Sequence, residues 1–288
     1  MEMNFKLKTL VAALALSAVA TSANAAISSG ASNGNSEFVF SAWDSVAGVG
    51  YTYDLNWDKA FTDVVGIDQA TTVTGNALLA ANAVVQSSLI GTNGIIFDGA
   101  LTGLPFASAS NVQWNLGAFD NAGRTRLLMT QGDSGLPFVS TNNQVKAAVT
   151  LFGAYTPATN GFITAPADDT YAVTNDTNGN AYAGSATFGG NNFNGNLADT
   201  SSFLGATANM YFLAPTTQAS SAAQALQQQL FSFDGKAIIA KTYLQGNEWR
   251  LQVAAVQAVP EPETNAMMLA GLGLMGFIAR RRRNNLAK

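Results

Sequence analysis

Large apolar side chains recur at every second position in three separate stretches of this chain, and that spacing restricts the fold more than any other feature. Phe38, Phe40 and Ala42 alternate with other residues, and Tyr51, Tyr53, Leu55 and Trp57 repeat the pattern after a short Ala47-Gly48-Val49-Gly50 link. An extended backbone puts residues two apart on one face, so both runs are predicted strands of an antiparallel hairpin. Val112, Trp114, Leu116 and Ala118 alternate likewise with Gln113, Asn115, Gly117 and Phe119, and Asp120-Asn121-Ala122-Gly123 turns the chain into residues 124–130 as a second hairpin. Residues 236–243 and 249–256, turned at Gln245-Gly246-Asn247-Glu248, make a third, with Leu251, Val253 and Ala255 on its core face.

Helical spacing is rarer. Val145, Val149 and Phe152 fall at i, i+4 and i+7 behind Ser140, Thr141 and Asn142 as capping candidates, predicting a helix over 142–155. A second helix is predicted over 216–230, where Pro215 blocks extension backwards, Thr216 or Thr217 caps, and Ala219, Ala222, Ala223, Leu226 and Leu230 form a stripe against a glutamine face. Within 71–90, Leu78, Leu79, Val85 and Leu89 fit a helix about as well as Val84 and Val85 fit a strand, and the helix is preferred. Residues 161–196 read as loop. No repeat of 20 to 50 residues stands out, which disfavours solenoids and propellers. The expected fold is therefore mainly β with a few helices (a β-rich α+β class), an antiparallel, sandwich-like single domain.

The two ends read as targeting segments. Lys6 and Lys8 precede an apolar run over 10–20, and Ala23-Asn24-Ala25 has the small-x-small pattern of a signal-peptidase site, with cleavage expected after Ala25. At the other end stand Pro260, Glu261 and Pro262, then 14 uncharged residues over 266–279, then Arg280, Arg281, Arg282 and Arg283. As a helix the run would reach about 21 Å against a hydrocarbon core of roughly 30 Å, short for a permanent anchor. The arginines mark the cytoplasmic side and leave the body on the other.

In this order, the Pro-Glu-Pro, the apolar run with Gly271, Gly273 and Gly276, and the arginine cluster resemble the PEP-CTERM sorting signal of exported proteins in Gram-negative bacteria. The resemblance covers about a tenth of the chain; Glu263 departs from it, since a small polar residue is usual after the motif. It implies processing by exosortase, a membrane transpeptidase-like enzyme that cuts near the motif and releases or transfers the body. It also implies passage through the inner membrane with a transient anchor, and a final place at the cell surface or outside. The alternative is a short C-terminal membrane helix that stays. The expected organisation is a signal peptide over 1–25, a mature domain over 26–257 and the sorting signal over 258–288.

Between the ends, seven Lys or Arg face fifteen Asp or Glu, a net charge of −8. Such a body is repelled by phosphate backbones, so nucleic acid is not an expected partner. The chain has no cysteine and no histidine, which removes disulfides, thiol chemistry and the commonest general base and metal ligand. No pattern implies a cofactor. Gly132-Asp133-Ser134-Gly135-Leu136-Pro137 resembles the nucleophile segment of trypsin-like serine proteases, but Leu136 departs from it and no histidine exists to take the serine's proton. A turn is the preferred reading, although a Ser-Lys pairing with Lys146 or Lys236 is chemically open. Asp176, Asn178 and Asn180 have the every-second-residue spacing of a calcium loop, yet Ala181 stands where glycine is expected and no glutamate closes the loop. A solvated turn is preferred there too.

These residues support three expectations for the body. The first is a non-enzymatic surface or extracellular-matrix protein, associated with exopolysaccharide or biofilm. The second is a glycan-binding module using exposed Tyr51, Trp57 or Trp114. The third is a glycan-active enzyme working through two carboxylates at suitable separation; Asp168 and Asp169 lie close in sequence, but adjacent carboxylates prove no shared site.

Overall fold

The computed structural model describes residues 26–28, 36–55, 57, 60–65, 84–106, 108–121, 125–132, 140–163, 170–217 and 219–256. Strands β1 (Val39–Asp44) and β2 (Val49–Asp54) form the first expected hairpin. Asp44 closes the turn by accepting from Val46 N at 2.8 Å and Ala47 N at 3.0 Å, and Gly48 supplies a φ of 65°. The second hairpin is β4 (Val112–Asp120) with β5 (Arg126–Gln131), where a buried Arg126–Asp120 ion pair joins partners in register. The third is β10 (Ala237–Gln245) with β11 (Glu248–Val256), turned at Gly246, φ 64°.

Joining them are β3 (Ile95–Ala100), β6 (Tyr171–Asn175), β7 (Ser202–Phe203), β8 (Thr207–Ala214) and β9 (Leu226–Gln229). All pair antiparallel in one sheet of order β3-β11-β10-β8-β5-β4-β1-β2-β6, with β7 attached to β4 and β9 to β8. The mainly β class expected from the alternation is thus realised, and the two layers of the expected sandwich are opposite walls of one curled sheet. Its inner face packs Phe40, Tyr51, Trp114, Phe212, Ile238 and Leu251 into a single cluster. Trp114 stacks on Phe40 with centroids 5.6 Å apart. Each such wholly buried ring removes some 150–250 Å² from water, worth about 4–6 kcal/mol at ~25 cal/mol per Å². The curl brings the loop after β3 to the far edge: Tyr51 Oη donates to Thr102 O at 2.7 Å, and Gly103 lies against the Tyr171 ring of β6.

The outer face is covered by helix α1 (Asn142–Asn160) and by the connection between β6 and β7. Thr141 caps α1 as expected: its side chain accepts from Gln144 N at 3.3 Å, while Gln144 Oε1 accepts from Thr141 N at 2.8 Å. Val145, Ala148, Val149, Phe152 and Tyr155 form the buried stripe. Tyr155 Oη bridges Ser41 of β1 (3.1 Å) and Thr52 of β2. Burial pushes its phenol up to about 12.

Two expectations are corrected, and a third is tested only at its end. Residues 219–230 are not helical: Leu226–Gln229 is β9, and the preceding backbone pairs with the start of α1 through Asn142 N→Ala223 O (2.9 Å) and Ala225 N→Ser140 O (2.9 Å). Alanines at 219, 222 and 223 offer little area to bury and stay exposed, so sheet pairing with β8 outweighs helix propensity. Residues 161–196 are not all loop, since β6 pairs with β2 in register Tyr51↔Val173. The described end of 71–90 is a bridge at Val84 and a 3₁₀ turn over Ser87–Leu89, with 71–83 outside the described residues.

Candidate functional site

Among the described residues, the inner face of the curl packs closely around one cluster. Beneath Phe38, Trp57 and Val253 the packing leaves a space of about 10 Å³, no more than a single water needs. A larger open space lies at one mouth of the curl, a cavity of about 550 Å³ between the loop after β3 and the tip of the β10–β11 hairpin. One wall is Leu101, Thr102, Gly103, Leu104 and Phe106; the other is Leu244, Asn247, Glu248 and Trp249.

Local chemistry sets both walls. Leu101 N donates to Trp249 O at 2.8 Å, continuing the β3–β11 ladder, and Leu104 N donates to Leu101 O at 3.2 Å to close a turn. Gly103 takes a φ of 74°, and a Cβ there would stand 2.3 Å from Tyr171 Cζ, so only glycine fits. On β11 the period of two sends Trp249, Leu251 and Val253 inward and Arg250 and Gln252 outward. Trp249 is the last of the inward row, half-buried at the rim.

Behind the rim, Asp98 of β3 is the hub of an outer-face network. It accepts from Tyr243 Oη at 2.8 and 2.9 Å, Arg250 Nε at 2.9 Å and Gln252 Nε2 at 2.7 Å. Burial works to raise its carboxyl, but the hydrogen bonds from Tyr243, Gln252 and Arg250 outweigh it and hold the group below the usual carboxylate value. Burial and the bond to Asp98 push the Tyr243 phenol up. Arg250 Nη1 lies 3.7 Å from Glu248 Oε2, tying the network to the mouth.

The residues singled out from the sequence lie elsewhere. Tyr51 and Trp114 are fully buried and present no face to a ligand, which corrects their assignment as exposed platforms; Trp57 is half-buried between Phe38 (5.4 Å) and Phe97 (6.3 Å). Asp176, Asn178 and Asn180 share one 3₁₀ turn, Asp176–Ala181. There Asn178 Oδ1 accepts from Asn175 N at 2.8 Å, and Asn180 Oδ1 accepts from Thr187 Oγ1 at 3.4 Å. Among the described residues no three Asp or Glu side chains group as metal ligands. Asp133, Ser134, Asp168, Asp169, Ala23, Ala25, Pro260, Glu261, Pro262 and Arg280 to Arg283 lie outside the described residues. Sequence reasoning does not reach the mouth because its walls, 101–106 and 244–249, are far apart in the chain; the local hints are the turn at Gly103 beside Phe106 and the tryptophan directly after a hairpin turn.

Residues 258–283 match the family model of the PEP-CTERM protein-sorting motif. The chain carries a PEP-CTERM sorting motif. Pro260 to Pro262 and the four arginines all fall inside the matched span. Such a motif indicates exosortase-dependent sorting to the cell surface or beyond it. Neither the curated proteins nor the solved structures contain a match to the chain. Among the described residues, no helix is long and apolar enough to cross a membrane.

Proposed function

We propose that this is a non-enzymatic protein of the surface or extracellular matrix of a Gram-negative cell, delivered by exosortase and retained through association with exopolysaccharide. The sorting motif at 258–283 is the observation that carries the reading. Signal peptidase cuts after Ala25, the C-terminal segment holds the chain in the inner membrane for a time, and exosortase acts near Pro260-Glu261-Pro262. The body's composition supports the rest: net acidic, poor in charge, and without cysteine or histidine. Deleting the protein should weaken surface adhesion, cell aggregation or retention of matrix polysaccharide. Unchanged behaviour across several growth conditions contradicts the reading.

A second reading, a glycan-binding module, is favoured by the mouth, where a half-buried tryptophan and two exposed polar side chains face one open cavity. It is compatible with the first, since binding glycan is one way to be retained in a polysaccharide matrix.

A further inference from the structure

We propose that the mouth between the loop over 101–106 and the β10–β11 tip binds a short stretch of neutral glycan; this rests on the glycan-binding reading above. Its volume of about 550 Å³ is that of a small-ligand site, and the mouth of a curled sheet is a usual place for one. The lining has two kinds of group. Trp249 and Phe106, both half-buried, offer flat apolar faces that a pyranose ring can cover. Asn247 and Glu248, both exposed at the hairpin turn, and Thr102 opposite offer donors and acceptors that hydroxyl groups can satisfy.

Charge selects the class of glycan. Among the described lining residues there is no Lys or Arg, Glu248 adds a carboxylate at the rim, and Arg250, 3.7 Å from that carboxylate, is engaged by Asp98 at 2.9 Å. With a body of net charge −8, a uronic-acid or sulfated polymer meets repulsion, and the nearby guanidinium, that of Arg250, is already shared between Asp98 and Glu248. The neutral sugar avoids that repulsion. The walls are also fixed beforehand: Tyr51, Tyr171 and Trp249 pin the loop through its backbone and Gly103, so little ordering entropy is lost on binding.

The test is calorimetry and tryptophan fluorescence on the full-length chain in a detergent without a sugar headgroup. The probes are neutral malto-, cello- and manno-hexaose, an acidic galacturonate hexamer and an uncharged hexapeptide. At least one neutral hexaose is expected to bind with a Kd below about 1 mM and to change the fluorescence, while the galacturonate hexamer and the peptide do not. Glu248→Gln and Asn247→Ala, both exposed and compatible with folding, should each weaken binding about tenfold, and Val46→Ser on the distant β1–β2 turn should leave it unchanged. Neutral-glycan binding untouched by Glu248→Gln and Asn247→Ala overturns this site while leaving the glycan-binding reading standing. No binding of any neutral hexaose up to about 10 mM, or preference for the acidic hexamer or the peptide, overturns the proposal and that reading together.

Discussion

The two faces of the sheet are filled by opposite means. On the inner face strands cover strands: the rings of β1, β2 and β4 meet Phe212 and Met210 of β8 and aliphatic side chains of β10 and β11, all delivered by alternation. On the outer face the cover is one helix and an irregular connection, in which Phe188 and Phe193 are wholly buried against Phe152 and Tyr155. That connection runs through four consecutive left-handed residues, Asn192 (φ 46°), Phe193 (φ 58°), Asn194 (φ 56°) and Gly195 (φ 72°). A periodic pattern is enough to build a wall, whereas a lid over that wall needs individual backbone choices held by individual contacts. Thr200 N and Oγ1, for example, both donate to Asn192 Oδ1 at 2.9 Å.

Trp114→Ala on the inner wall should have the largest effect, a loss of about 3–5 kcal/mol read by chemical denaturation, because the ring is wholly buried and its Nε1 donates to Phe203 O at 2.8 Å. Phe193→Ala should cost nearly as much, but Phe193→Gly should be less damaging than the alanine by about 1 kcal/mol, since only glycine relieves the left-handed backbone. An inner-face position has no such asymmetry; finding alanine equal to or better than glycine at 193 would erase the contrast between the faces.

Tyr155→Phe comes next, at about 1–3 kcal/mol, because it leaves the buried hydroxyls of Ser41 and Thr52 without their bridge. The raised phenol also gives a pH signature. Folded and unfolded chains are both protonated well below pH 10, so the contribution is whole there; it falls as pH rises from the ordinary value of 10.0 through about 12, where the unfolded chain ionises first. Denaturation midpoints should drop across that window in the wild type and less in Tyr155→Phe. Asp98→Asn, on the rim network, should cost least, less than about 1 kcal/mol. Its carboxyl is held below 3.8, so its contribution is present above that value and is lost as pH falls through the lower folded value, which an acid titration of stability would register.

The same contrast explains what could be read from the chain. The three hairpins were legible because their faces repeat every two residues and each turn carries its own glycine or Asx signal. Helix α1 was legible from Thr141, Gln144 and the stripe at Val145, Val149 and Phe152. Strand β9 has a helical look in the sequence because the spacing of small alanines mimics a helical stripe, while the partners that fix this segment, β8 and residues 140–142, are distant in sequence. Strand β6 was missed inside a segment rich in Asn, Gly and Thr, where its pairing with β2 supplies what composition does not. At the mouth the sequence shows the tryptophan and the turn but not their meeting, which depends on how far the sheet curls. The sorting motif was fully legible because its recognition depends on local order in the chain.

The most direct test of the account is mass spectrometry of both termini of the protein recovered from the surface and extracellular fractions. The expected mature chain begins at Ala26 and lacks the arginine cluster. A mature surface form still carrying Arg280 to Lys288 would contradict it.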